Sequence, residues 1–136
     1  MILLDTYYLI RTLVSGSVES RKVTDWFKSG EGLCTSSVVW YEFICGPVDD
    51  EGILVIQALL QDRILPFTAD QAVESARLFN AVGRKRQLRV DAMIAAAAIV
   101  SNAELATGNT EDFSAFSIQG LRLVPPATGS FTCTRA

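Results

Sequence analysis

RVDAMIAAAAIVSNAELATGNTEDF, residues 89–113, holds a helix and a strand in sequence. Residues 88–101 are rich in alanine and apolar nearly all round. That pattern predicts a helix with no face to offer water, hence a central one. Residues 104–107 follow as a short strand. At the other end of the chain, residues 2–4 are a short apolar run ending at Asp5, the pattern of a buried strand. Residues 8–14 are apolar at helical spacing. Ser17 stands where it can cap a helix over 18–28, with Val23, Trp26 and Phe27 inward and Glu19, Arg21, Lys22 and Asp25 outward.

Residues 32–36 read as a second strand. Ser36 or Ser37 then caps a helix over 38–44, stopped by Gly46-Pro47. Asp49 and Asp50 open a helix over 52–62, where acidic residues suit the positive end of the helix dipole. Residues 64–67 form a third strand, and Pro66 places it at an edge. Thr68 or Asp70 caps a helix over 71–82. A last strand, 121–124, is closed by Pro125-Pro126. This alternation predicts an α/β fold: three layers, α/β/α, around a four- to five-stranded, mainly parallel sheet.

With 136 residues the chain fits one domain, over 1–126. The Thr/Ser/Gly-rich stretch 127–136 lacks periodicity and reads as a tail. Hydrophobic residues make up 49% and charged residues 20%, with mean hydropathy +0.28, which excludes a disordered polyelectrolyte. The longest apolar stretch, 92–100, falls well short of the roughly 18 residues of a membrane span. No basic leader precedes the first strand, so a cytoplasmic protein is expected, with no membrane partner. Cys34, Cys45 and Cys133 are odd in number and widely spaced, as expected of reduced thiols, and none forms a C-x-x-C zinc pair.

The chain has no histidine. Histidine triads, HExxH zinc sites and imidazole bases are therefore excluded. Hydrolytic chemistry here would run on carboxylates, metals, lysines or hydroxyls. The net charge of −3 argues against a simple DNA-binding module, because phosphate contact wants positive charge.

Sites in doubly wound sheets form at the carboxyl ends of the strands. Asp5 ends the first strand, Asp112 follows the strand at 104–107, and Asp91 lies in the first turn of the alanine-rich helix. Glu42 lies inside an otherwise apolar helical stretch. Each has a local explanation: Asp5 as a helix cap, Glu42 as a surface residue, Asp91 as a dipole complement, Asn109 and Asp112 as a cap and its partner. Together these need four coincidences. Carboxylates gathered in one cleft repel each other and call for a cation, and hard oxygen ligands suit Mg²⁺ or Mn²⁺. Such a cluster without His or Cys points to phosphoryl-transfer hydrolysis.

At this point the chain resembles the PIN-domain family. ILLDTYYLI is similar to the family's opening, a first strand followed by Asp-Thr or Asp-Ser. TSSVVWYEFICG resembles its second motif, a Ser or Thr before a helix bearing one Glu and then Gly. RVDAMIAAAAIVSNAELATGNTEDF resembles the third and fourth: an Asp opening an Ala-rich helix, a strand, then Asn or Asp and a final acid before Phe. The order and length are those of VapC-type toxins of toxin–antitoxin pairs. The resemblance implies a metal-dependent endoribonuclease leaving a 5′-phosphate and a 3′-hydroxyl. It assigns catalysis to Asp5, Glu42, Asp91 and Asp112, with Asp5, Asp91 and Asp112 holding Mg²⁺ or Mn²⁺. Asn109 is auxiliary, and Thr6 matches the hydroxyl that orients the first carboxylate. It also implies an RNA substrate, a cognate antitoxin and a homodimer. Two departures stand out. Tyr7 occupies a place where Asn or a small residue is frequent, and Gly108 one where many relatives carry Arg.

Arg84, Lys85, Arg86 and Arg89 precede Asp91 and suit either a solvated face between helices or phosphate contact beside the cleft. Among the aromatics, Tyr7, Tyr8, Trp26, Trp40 and Tyr41 are open to core or groove roles. The alternative to a nuclease is a degenerate PIN domain that binds RNA or protein without cleaving. A receiver domain fails because no lysine follows Lys85, and a haloacid-dehalogenase-type phosphatase fails because residues 5–7 are Asp-Thr-Tyr rather than Asp-x-Asp. An interaction scaffold leaves the four acids unexplained.

Overall fold

Four short strands form one parallel sheet in the order β3-β2-β1-β4 in the computed structural model, which describes residues 1–125. The strands are β1 (Ile2–Leu4), β2 (Leu33–Ser36), β3 (Ile64–Leu65) and β4 (Glu104–Ala106). Ile2 pairs with Leu33 on one side and with Glu104 on the other, so β1 is central. All of β1 and β2 is buried, as strands inside a parallel sheet should be; β1 is wholly apolar, while in β2 the Thr35 hydroxyl donates to the Leu4 carbonyl and the Ser36 hydroxyl caps α3. The proline-marked strand, β3, is indeed an edge. The tail at 127–136 and Cys133 lie outside the described residues.

Helices α1 (Thr6–Thr12) and α2 (Val18–Lys28) connect β1 to β2; α3 (Ser37–Cys45) and α4 (Asp50–Leu60) connect β2 to β3. Helices α5 (Ala69–Ala81) and α6 (Arg89–Val100) return the chain across the sheet to β4, and α7 (Thr110–Ser114) follows. The chain steps from β1 outward to β3, then crosses to the far side of β1. Right-handed crossovers put helices on both faces under that ordering. The expected α/β/α layering is therefore found.

The caps follow from side-chain chemistry. Ser17, Ser36, Asp49 and Thr68 each accept a hydrogen bond from the backbone N–H three residues on. Of the two candidates for α3, Ser36 is the cap. Helix α6 is central as its composition predicted, with Ala92, Ile94, Ala95, Ala96, Ala97 and Ala98 all buried. A 3-10 turn, Arg86–Leu88, shortens the expected helix at its start.

Two expectations are corrected. The strand over 121–124 is reduced to one bridge, Leu105 with Leu123, so the described sheet has four strands, the lower end of the expected four to five. Pro125 follows at once, and proline cannot extend a ladder. Residues 110–114 form the short helix α7, where no helix was expected; five residues are too few for a periodicity signal. Among the described residues no helix is long and apolar enough to cross a membrane.

Candidate active site

The sheet's switch point lies between β1 and β4, where the chain reverses its direction of travel. Open α/β sheets form their clefts there, beyond the carboxyl ends of the strands. Asp5 leaves the end of β1, and Thr107, Gly108 and Asn109 leave the end of β4.

Asp5 is buried, at 5% exposure. One carboxylate oxygen accepts the Tyr8 N–H at 3.0 Å, so Asp5 does cap α1. The cap and the cleft roles coexist in one carboxylate. Burial raises its pKa from 3.8 to about 6; hydrogen bonds from Thr107 and the Tyr8 N–H oppose the rise, and the charges of Asp91 and Glu42 add to it. Asp91, partly buried in the first turn of α6, is also raised from 3.8 to about 6, by burial and then by Asp112 and Glu42. The four predicted acids thus share one electrostatic field, with Glu42 acting on both raised aspartates.

The supporting hydrogen bonds show how each acid is held. Thr6 Oγ1 donates to Glu42 Oε1 at 2.7 Å, joining α1 to α3. This corrects one expectation: the Thr6 hydroxyl is bonded to Glu42 rather than to Asp5, and the hydroxyl that lowers the Asp5 pKa is that of Thr107. Thr107 Oγ1 in turn accepts the Asn109 N–H at 2.9 Å, and Asn109 Nδ2 donates to Asp112 Oδ2 at 2.9 Å. Hydrogen bonds therefore tie Thr107 through Asn109 to Asp112, with the Thr107 hydroxyl near enough to Asp5 to lower its pKa. Thr107 was legible only as the end of a strand. Its signal, a hydroxyl one strand away from an Asp at the same level, needs the β1–β4 register.

The donor set is all carboxylate and carbonyl-type oxygen, mutually repulsive and partly desolvated, which fits a hard divalent cation. Among the described residues no three of these side chains stand close enough together to enclose an ion as they are.

Beside Glu42 lies a mainly apolar groove of about 370 Å³, lined by Ser37, Val38, Tyr41, Val90 and Met93. Met93 also lines a second hollow, of about 270 Å³, with Phe79, Asn80, Arg84 and Arg89. The guanidinium groups of Arg84 and Arg89 lie 5.3 and 4.9 Å from the centre of the Phe79 ring. Lys85 and Arg86 are exposed. None of the four basic residues joins an ion pair among the described residues. The two hollows adjoin at Met93, so Arg84 and Arg89, the latter in the same first turn of α6 as Asp91, stand beside the groove next to Glu42, while Lys85 and Arg86 line neither.

The aromatics separate cleanly. Tyr8 is buried against Trp26, ring centres 6.0 Å apart, and Trp40 packs on Phe43 at 5.5 Å. Tyr41 and Tyr7 are left exposed, at 70% and 45%.

Comparisons with known proteins agree with this architecture. The family model described as PIN domain matches residues 2–118. No curated protein matches the sequence. Among solved structures, a toxin–antitoxin complex from Klebsiella pneumoniae is similar at 28% identity, covering 84% of this chain and 91% of that one, with a TM-score of 0.66. DNA-bound VapBC from Salmonella typhimurium matches at 21% identity over 90% and 96%, with a TM-score of 0.71. FitAcB from Neisseria gonorrhoeae matches at 23% over 93% and 98%, with a TM-score of 0.68. At those last two identities the likeness is one of fold.

Proposed function

The chain belongs to the PIN-domain family, and on that premise we propose that it is a metal-dependent endoribonuclease, the toxin of a toxin–antitoxin pair. The observation that carries this reading is the pair Asp5 and Asp91. They come from different elements, both are held well above the usual carboxylate range, and each feels the charge of Glu42. A fold that keeps such repulsion at its switch point has a use for a cation there.

Asp5, Asp91 and Asp112 would hold one Mg²⁺ or Mn²⁺. When bound, such an ion supplies charge to the scissile phosphate and lowers the pKa of water. Glu42, steadied by Thr6, would position the attacking water or share in a second ion. Water oxygen attacks phosphorus in line and the bond to the 3′ oxygen breaks, leaving a 5′-phosphate and a 3′-hydroxyl. Arg84 and Arg89, beside α6, would take the flanking phosphates, with Lys85 and Arg86 nearby. Asn109 holds Asp112 in place.

The partner structures support the assembly part of the reading: the Klebsiella, Salmonella and Neisseria relatives were solved as toxin–antitoxin or VapBC/FitAB-type complexes. An antitoxin would cover the cleft, and a homodimer would cover some of the exposed apolar residues, such as Tyr41, Ile44, Leu54 and Val55. The site of action would be the cytoplasm, where Cys34 and Cys45 stay reduced.

The test compares wild type with Asp5→Asn on mixed RNA, each with Mg²⁺, Mn²⁺ and EDTA. Metal-dependent cleavage lost in Asp5→Asn is expected; cleavage undiminished in excess EDTA would overturn the mechanism. One observation favours a second reading, a PIN domain that binds RNA or protein without cleaving: the acids are not closed around a point. Mn²⁺ titration separates the two, because a degenerate site binds the ion weakly or not at all.

A further inference from the structure

The Tyr7 ring lies against Gly108 so closely that no side chain fits there. A Cβ built on Gly108 would stand 2.8 Å from Tyr7 Cγ and closer still to two other ring carbons. The backbone at 108 does not itself ask for glycine, because the positive-φ glycines are 16, 30, 83 and 120. It is the ring that excludes a side chain. One face of Tyr7 is thus clamped on the backbone after β4, yet the residue is 45% exposed. Its neighbour Tyr8 shows what a packing tyrosine looks like here: 6% exposed and stacked on Trp26.

The surroundings give the open face a direction. Tyr7 sits between Thr6, which holds Glu42, and Tyr8, whose N–H binds Asp5. Gly108 sits between Thr107 and Asn109, whose N–H bonds the Thr107 hydroxyl and whose side chain holds Asp112. The ring and its seat are thus each flanked in the chain by residues that hold the acids. A rigid, neutral aromatic surface at an anionic rim can bind a flat uncharged group without adding to the repulsion that phosphates meet there. A nucleobase is such a group, and in a single strand its face is free.

We propose that Tyr7, seated on Gly108, is a base-stacking platform that engages a nucleotide of single-stranded RNA beside the scissile phosphate. The proposal rests on the nuclease reading for its substrate class. It makes Tyr7 a substrate-binding residue and Gly108 the residue that gives the ring its seat.

The experiment measures affinity of the full chain, in EDTA so that metal-dependent cleavage is suppressed, for a labelled mixed-sequence RNA strand and for an abasic strand of equal length. Wild type should prefer the base-bearing strand. Tyr7→Phe should match it. Tyr7→Leu should bind RNA about 5- to 100-fold more weakly, as expected for loss of one stacked base, and the abasic strand equally well. Gly108→Ala, which pushes the ring off its seat, should follow Tyr7→Leu. Wild-type affinity in Tyr7→Leu overturns the platform. So does an equal loss on both strands, which would mean that the ring contacts the backbone or supports a protein partner's surface. So does a wild type that binds neither strand. Base-dependent binding in a protein that cleaves nothing upholds the platform and sinks the nuclease, so the two fail separately. Should Gly108→Ala not fold, Tyr7→Phe and Tyr7→Leu suffice.

Discussion

The hydroxyl of Thr107, just past β4, accepts the Asn109 N–H at 2.9 Å and lies near enough to the carboxylate of Asp5, at the end of β1, to lower its pKa. The backbone turn after β4 thereby acts on an acid that belongs to another strand.

Thr107→Val removes the hydroxyl and keeps the shape. The hydroxyl lowers the Asp5 pKa, so its loss should move the acid limb of any metal-dependent cleavage to higher pH. Metal affinity should fall by about 10- to 100-fold, the usual cost of losing an outer-shell partner. Thr107→Ser should restore both. A pH profile and a Mn²⁺ titration check this; an unmoved acid limb counts against it.

Asp5→Asn should stabilise the metal-free protein at neutral pH. The unfolded chain ionises Asp5 near 3.8 and the folded chain near 6, so between those values the folded state binds more protons. Stability is therefore lost as pH rises through that window and stays lost above it. At about 1.4 kcal/mol per pKa unit, the variant should gain about 1–3 kcal/mol at pH 7 and almost nothing at about pH 3 or below. Asn keeps the α1 cap, so the comparison isolates the charge. Melts in EDTA read it; Mg²⁺ or Mn²⁺ at pH 7 should raise Tm for wild type alone. A variant that melts below wild type at pH 7 refutes this account of Asp5.

Reversing Arg86 and Arg89 to Glu should weaken RNA binding and flatten its salt dependence. The slope of log K against log salt should drop by about 0.7 for each single-strand phosphate that the protein no longer neutralises. Arg89 should carry more of the effect than Arg86, because it lines the hollow that adjoins the acids at Met93. An unchanged slope means that these cations only solvate the surface between helices.

Ala96→Leu should destabilise the fold by about 1–3 kcal/mol or more through overpacking, with denaturant melts as the readout. Ala96 has no exposure and sits mid-way along the central helix. A wild-type midpoint would mean that α6 is not packed tightly between its neighbours.

Composition and periodicity determined much of this protein. The apolar run at 2–4 marked a buried strand, and the alanine-rich, mostly apolar composition of α6 marked a central helix, because leaving either in water costs free energy. Helix α2 begins and ends where its cap and amphipathic face require. The four acids were legible because each stands at a strand end or on a helix beside one, and the absence of histidine narrowed the chemistry they can perform. What the tertiary structure alone decided is which groups meet. A hydrogen bond between Thr6 and Glu42 spans 36 positions, and the influence of Thr107 on Asp5 needs β1 beside β4. Tyr7 and Gly108 read as two separate oddities until strand pairing laid one on the other. Local sequence sets the form of each element through short-range sterics and hydrogen bonding. Side-chain partners across the cleft are set by the order in which strands pair, and that order is a property of the whole chain.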